Sequence, residues 1–182
     1  MAPVWMESIR DADVIFNSFP RYCHEAKELC PLYRVGDTVG DVEHRLFGTL
    51  ESLKENPIIL TDPYTKTPVI VTHSDIKRLF FSILYAPTYG FYSIGMVIDL
   101  ILKGNFQLLA MVFSIALPFE IFPVCGEPRP AWQYPNEATP AIMCSDKRYP
   151  LNETVPNLKL MFEKMSNDSS FADVWLTGML GW

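Results

Sequence analysis

No stretch of this sequence approaches the ~20 consecutive apolar residues that a bilayer-crossing helix needs. The most hydrophobic stretch, Leu108 to Phe119, is an uncharged run of 12 residues lying between Lys103-Gly104-Asn105 and Glu120. It reads as a buried helix or the lining of a cap, with contact to a membrane surface as the alternative; no membrane partner is expected. Basic clusters are also missing: 21 acidic residues oppose 15 basic ones, for a formal charge of -6, so no nucleic-acid partner is expected. Neither G-x-G-x-x-G nor G-x-x-x-x-G-K occurs, which removes the nucleotide-binding signatures, and no cofactor is expected. His24-Glu25-Ala26-Lys27-Glu28 begins like H-E-x-x-H but has Glu28 where the second zinc ligand belongs, and Cys23, His24 and Cys30 lack further ligands at metal spacing. A solvated helix face accounts for them, and no metal is expected.

The amino terminus, MAPVWMESIRDADVIF, shows no basic region followed by an apolar one. The default expectation is a cytoplasmic chain, or one lacking the front of a longer protein. Asn152-Glu-Thr154 and Asn167-Asp-Ser169 fit the glycosylation pattern but are ordinary chance triplets.

What is present is enough apolar sequence for one core: 182 residues, 49% hydrophobic and 20% charged. Eight of the 15 prolines fall between Pro118 and Pro156, which predicts an irregular connector there. The organisation expected is a helical region over 1–117 with a small strand excursion at 57–72, a proline-rich connector over 118–140, and a strand-helix-helix unit over 141–182.

Within the first region Trp5, Ile9, Ala12, Phe16 and Phe19 recur at helical spacing, and Pro20 is expected to close that helix. A short helix over Arg21–Leu29 follows. A third begins at Gly40 or Asp41, buries Val42, Leu46, Thr49, Leu50 and Leu53, and ends at Asn56-Pro57. Ile58–Leu60 and Val69–Val71 read as a hairpin-like pair, with prolines favouring edge positions. Thr72 or Ser74 caps the next helix, whose apolar stripe is Ile76, Leu79, Phe80, Ile83 and Leu84, and Pro87 ends it. Ile94, Val97, Ile98, Ile101 and Leu102 form the stripe of another helix, stopping near Gly104. Neither of these two helices shows a polar constellation on its apolar face. In the closing unit, Ala141–Cys144 reads as a buried strand, Ser145-Asp146 as a turn, and the rest as two amphipathic helices. The whole is therefore mostly α with three or four short strands.

Few residues suggest chemistry. Phe91-Tyr92-Ser93-Ile94-Gly95 is like the G-x-S-x-G elbow, but Phe91 replaces the first glycine and all three histidines, His24, His44 and His73, precede Ser93. Ser93 reads as a helix-surface or packing serine. An arrangement of His73, Asp75 and Ser93 is the convergent alternative, although capping explains His73 and Asp75 more simply. Asp37, Asp41 and Glu43 stand at a helix start, where the dipole favours acids. Asp146, just past the expected strand, sits where open α/β sheets place ligand sites, or else caps the next turn. Cys23 and Cys30 are seven apart, and a bridge between them requires the segment to bend, because bridged Cα atoms lie within about 7 Å.

Seven pieces in order, Trp5-x-x-Ser8-Ile9-x-Asp11-x-Asp13, Cys23-x6-Cys30-Pro31-Leu32-Tyr33, Pro68-x-Ile70-Val71-Thr72-x-x-Asp75-Ile76-Lys77, Leu84-Tyr85-x-Pro87, Ala141-Ile142-x-Cys144-Ser145-Asp146, Ser169-Ser170-Phe171-Ala172-Asp173-x-Trp175 and Gly181-Trp182, resemble the central part of fungal tripeptidyl-aminopeptidase-like α/β-hydrolases, relatives of proline iminopeptidases. The resemblance implies a helical cap plus part of the hydrolase sheet, an incomplete α/β-hydrolase, with the serine elbow upstream and the acid and histidine downstream of this chain. Asp146 would lie near the active-site edge without being the triad acid. Lys147 departs from the glycine usual there, and Met179-Leu180 from a cysteine often found before Gly-Trp. The resemblance favours a Cys23–Cys30 bridge, which the oxidising compartment of an often secreted family would permit; with no signal sequence the reduced form is the alternative. Cys125 and Cys144, flanking the proline-rich connector, are the other candidate pair. Two functions follow as expectations. One is a truncated serine peptidase or esterase, inactive without the missing hydrolase portion. The other is a non-hydrolytic protein binding a hydrophobic small molecule or peptide, as in a fungal metabolite pathway.

Overall fold

A computed structural model of the chain describes residues 6–63, 66–116 and 154–180. The chain divides into two units, Val14–Phe119 and a second formed by Met1–Asp13 with Glu120–Trp182. Among the described residues the fold is mostly helical, with two short antiparallel strands. The further strand expected at Ala141–Cys144 lies outside them.

Helix α1, Ala12–Ala26, runs straight through Pro20, which was expected to end it. Proline brings no N–H to the helix ladder and costs about 3 kcal/mol in a helix interior. Burial of Phe16, Phe19 and Cys23 around it, and of Pro20 itself, outweighs that local penalty. The separate helix expected over Arg21–Leu29 is instead the end of α1 followed by a 3-10 turn, Lys27–Leu29.

Helix α2, Val39–Glu55, buries the expected stripe of Val42, Leu46, Thr49, Leu50 and Leu53. It starts one step earlier than expected because Thr38 is the cap: its hydroxyl accepts from the Asp41 N–H while the Asp41 carboxylate accepts from the Thr38 N–H. Strands β1, Ile58–Thr61, and β2, Pro68–Val71, pair with Ile58 opposite Val71 and Leu60 opposite Val69. Ile58, Leu60 and Val71 face the core, whereas the cross-strand pair Ile59 and Ile70 faces solvent.

Helix α3, His73–Ile83, has the same kind of cap, Thr72 with Asp75, and buries Ile76, Leu79 and Phe80. Ile83, expected in the core, is only half-buried. It packs instead on Gly90 of α4, Pro87–Leu102, where a β-carbon would lie 2.1 Å from Ile83 Cγ2. Helix α4 is the centre of this unit, packing on α2, α3 and α5, Phe106–Ala116. Phe16 ties α1 to α2 through Phe47, ring centroids 5.8 Å apart, and to α3 through Phe80 at 5.9 Å. The apolar run beginning at Leu108 forms most of α5, burying Leu109, Ala110 and Phe113 and exposing part of Leu108 and Met111. No helix among the described residues is long and apolar enough to cross a membrane.

In the other unit, helices α6, Val155–Asp168, and α7, Ala172–Leu180, form the expected helical pair. A 3-10 turn at Met6–Ile9 packs on α6. The Asp13 carboxylate accepts from the Ser170 N–H at 2.7 Å and from the Ser170 hydroxyl at 2.5 Å.

The Gly90 contact leads to a direct expectation. Gly90→Ala should lower unfolding stability by about 1–3 kcal/mol through overpacking. Ile83→Ala should then cost less in the Gly90→Ala background than alone, a coupling that a double-mutant cycle in denaturant measures. Strict additivity would contradict the packing described.

Candidate functional site

The candidate site is a groove of about 800 Å³ between α1 and the first two turns of α4. Its walls are mainly apolar: Phe19 and Tyr22 from α1, Phe91 and Tyr92 from α4, and the Cys23–Cys30 pair at one end. Phe91 is the hinge of the aromatic wall, set edge-on to Phe19 at 5.5 Å and tilted against Tyr22 at 6.0 Å. Ser18, Tyr22, Thr88 and Tyr92 add hydroxyls, and Arg21 adds a charge. The Ser18 hydroxyl donates to the Ile15 carbonyl at 2.6 Å.

The bend that the cysteine pair required is present. Residues seven apart on a continuous α-helix are separated by about 10 Å. Here α1 stops at Ala26, Lys27 takes a left-handed φ of 52°, and the 3-10 turn carries Cys30 back to a Cα distance of 5.2 Å from Cys23, where the two are disulfide-bonded. Both cysteines are buried.

Beyond the bridge, the chain from Cys30 to Asp37 is held by charges of which the sequence reading picked out only Asp37, as a helix-start acid; its carboxylate instead pairs with Arg45 and accepts from the Arg34 N–H. Arg34 donates to the Pro31 carbonyl at 2.7 Å and pairs with Asp99 of α4. Lys103 reaches the other Asp99 oxygen at 2.7 Å. Arg45 of α2 pairs with Asp37 and donates to the Leu32 carbonyl. Asp99 is thus a buried acid outside the expected apolar stripe, whereas Leu102, expected on that stripe, is about half exposed. Burial pushes the Asp99 carboxyl up, but hydrogen bonds and charge from Lys103 and Arg34 outweigh it, leaving it below the usual carboxylate value. The hydrogen bond from Arg45 likewise holds Asp37 low.

The other described residues singled out from sequence are placed by their own elements. Ser93 lies inside α4, not on a strand-to-helix turn. Asp75 is occupied as the capping acid of Thr72. The Asp41 carboxyl, held low mainly by the Thr38 hydroxyl, is a cap as well, and Glu43 is exposed. His24 Nε2 lies 3.1 Å from the Asp37 carbonyl and 3.5 Å from Lys27 Nζ. No cluster of metal-ligating side chains occurs among the described residues. Asp146, Cys125 and Cys144 lie outside them.

Two outcomes check this construction. Asp99→Ala should cost about 1–3 kcal/mol, since it strands Arg34 and Lys103 beside a buried gap. Because the folded carboxyl value lies below the unfolded one of about 4, the wild-type contribution is complete above that pH and is lost as pH falls through the folded value. Asp99→Asn should flatten this acid limb in urea melts at graded pH; an unchanged limb would contradict the pairing. For the bridge, alkylation of natively isolated protein should leave Cys23 and Cys30 unlabelled and yield their cross-linked peptide, and reduction should destabilise the fold by roughly 2–3 kcal/mol. Free thiols at both positions would contradict it.

Compared with protein-family models, curated proteins and solved structures, the chain matches none of them, so the groove is to be read from its own chemistry.

Proposed function

We propose that this chain is a ligand-binding module whose α1–α4 groove takes an apolar small molecule or an apolar peptide side chain, and that it performs no acyl transfer by itself. The observation that carries the reading is the groove: about 800 Å³, walled by Phe19, Tyr22, Phe91 and Tyr92, with a few hydroxyls at defined positions. This is the size and composition of small-molecule sites, in which aromatic walls supply burial and sparse polar groups supply orientation. Acyl transfer would need a serine within reach of a histidine, an acid orienting that histidine, and amide donors for the oxyanion. Ser93 in mid-helix and Asp75 engaged in a cap support the non-catalytic reading.

The seven sequence pieces favour a second reading, in which the groove is the substrate-selecting cap of a fungal tripeptidyl-aminopeptidase-like hydrolase. The serine elbow, acid and histidine would then come from sequence outside these 182 residues. Both readings use the same groove, and they differ in what acts on the bound molecule.

The expected outcome is saturable binding of the neutral fluorophore N-phenyl-1-naphthylamine, abolished by Thr88→Trp, which fills the groove from an exposed position. Binding that ignores Thr88→Trp would contradict the reading. A fluorophosphonate probe should not label the chain; stoichiometric labelling lost in Ser93→Ala would refute its non-catalytic part. Labelling that appears only when a chain carrying the elbow, acid and histidine is added would establish the second reading.

A further inference from the structure

We infer that the groove selects ligands with an apolar, planar body and a single negative charge, and that Arg21 is the residue that reads the charge; this rests on the groove being the binding site. Among the described residues lining it, Arg21 is the only charged one, although the chain as a whole carries -6. Arg21 thus gives the groove its single positive charge, and no carboxylate is among the described residues that line it to attract a cationic ligand.

The guanidinium is placed for this role. Its carbon lies 4.7 Å from the centre of the Tyr22 ring, so the group is stacked along an aromatic wall of the groove. Its ionic partner is Glu25, one turn further along α1, with Nε 3.9 Å from Oε1 and both side chains about 60% exposed. A pair so long and so exposed holds weakly. It engages Nε, which leaves the terminal nitrogens to donate two parallel hydrogen bonds to a carboxylate or sulfonate. The Phe91, Tyr22 and Tyr92 rings offer faces and edges to a flat ligand body, with the buried Phe19 ring backing Phe91. Glu25 then acts as an internal competitor for Arg21 and sets how strongly the anion is held.

The test uses two fluorophores with one ring framework: 8-anilinonaphthalene-1-sulfonate, which carries the anion, and N-phenyl-1-naphthylamine, which lacks it. Both are titrated into the full chain and its variants by fluorescence, with thermal melts confirming that each variant is folded. Arg21→Gln should weaken the sulfonate probe roughly tenfold and leave the neutral probe within about twofold, since a hydrogen-bonded charge pair is lost. Glu25→Gln should tighten the sulfonate probe by about two- to threefold and leave the neutral one unchanged. Added salt should weaken only the sulfonate probe. If Arg21→Gln leaves both probes unchanged, or weakens both alike as a packing defect would, the charge-reading role is overturned while the groove remains a binding site. If neither probe responds to Thr88→Trp, the groove reading fails and this inference fails with it.

Discussion

At Gly95, helix α4 comes so close to the Cys30–Leu32 turn that a β-carbon would sit 3.2 Å from the Cys30 sulfur and 3.4 Å from Pro31 Cδ. That approach sets the geometry of the site. It brings the first turns of α4 alongside α1, so that Phe91 meets Phe19 and Tyr22, and it puts the Cys23–Cys30 bridge at the end of the resulting groove. The turn is held in place from several sides: covalently by the bridge, by Arg34 and Asp99 toward α4, and by Arg45 toward α2. A glycine in an elbow-like string is thus explained by packing. Its job is to let a helix approach a sulfur atom closely, and no strand-to-helix turn is involved.

Much of the helical framework could be read from residue order. The α2 stripe from Val42 to Leu53, the Thr72 cap and the hairpin of Ile58–Leu60 with Val69–Val71 depend on neighbours a few residues away, where periodicity and capping rules operate. The features that escaped such reading depend on distant partners. Pro20 should have broken α1 by local rules, and the burial of Phe16 and Phe19 against other helices overrode them. Asp99 stands in an apolar helix with its partner Arg34 65 residues away, and no local pattern encodes that pairing. The groove itself joins residues near position 20 to residues near position 90. The need for a bend between Cys23 and Cys30 was legible, whereas the left-handed Lys27 that supplies it was not. Asp146, the acid to which the sequence drew attention, falls outside the described residues, so the site proposed here owes nothing to it.

Under the proposed reading, a cross-linked groove with an aromatic wall and one cation would act as a selecting device, and selection is useful with or without a reaction next to it. In a hydrolase-type protein it would choose which molecule reaches the nucleophile. In a binding protein it would be the whole function. Rigidity would serve either purpose, because a wall fixed by a disulfide and by ion pairs loses little conformational freedom when a ligand arrives.

The most direct measurement is amide chemical-shift mapping of the isotopically labelled chain during titration with N-phenyl-1-naphthylamine. Perturbations should concentrate on residues 14–30 of α1 and the bridged turn and on residues 87–92 at the start of α4, saturating together. Perturbations centred instead on the exposed Ile59 and Ile70 of the hairpin, or on α5, would contradict it.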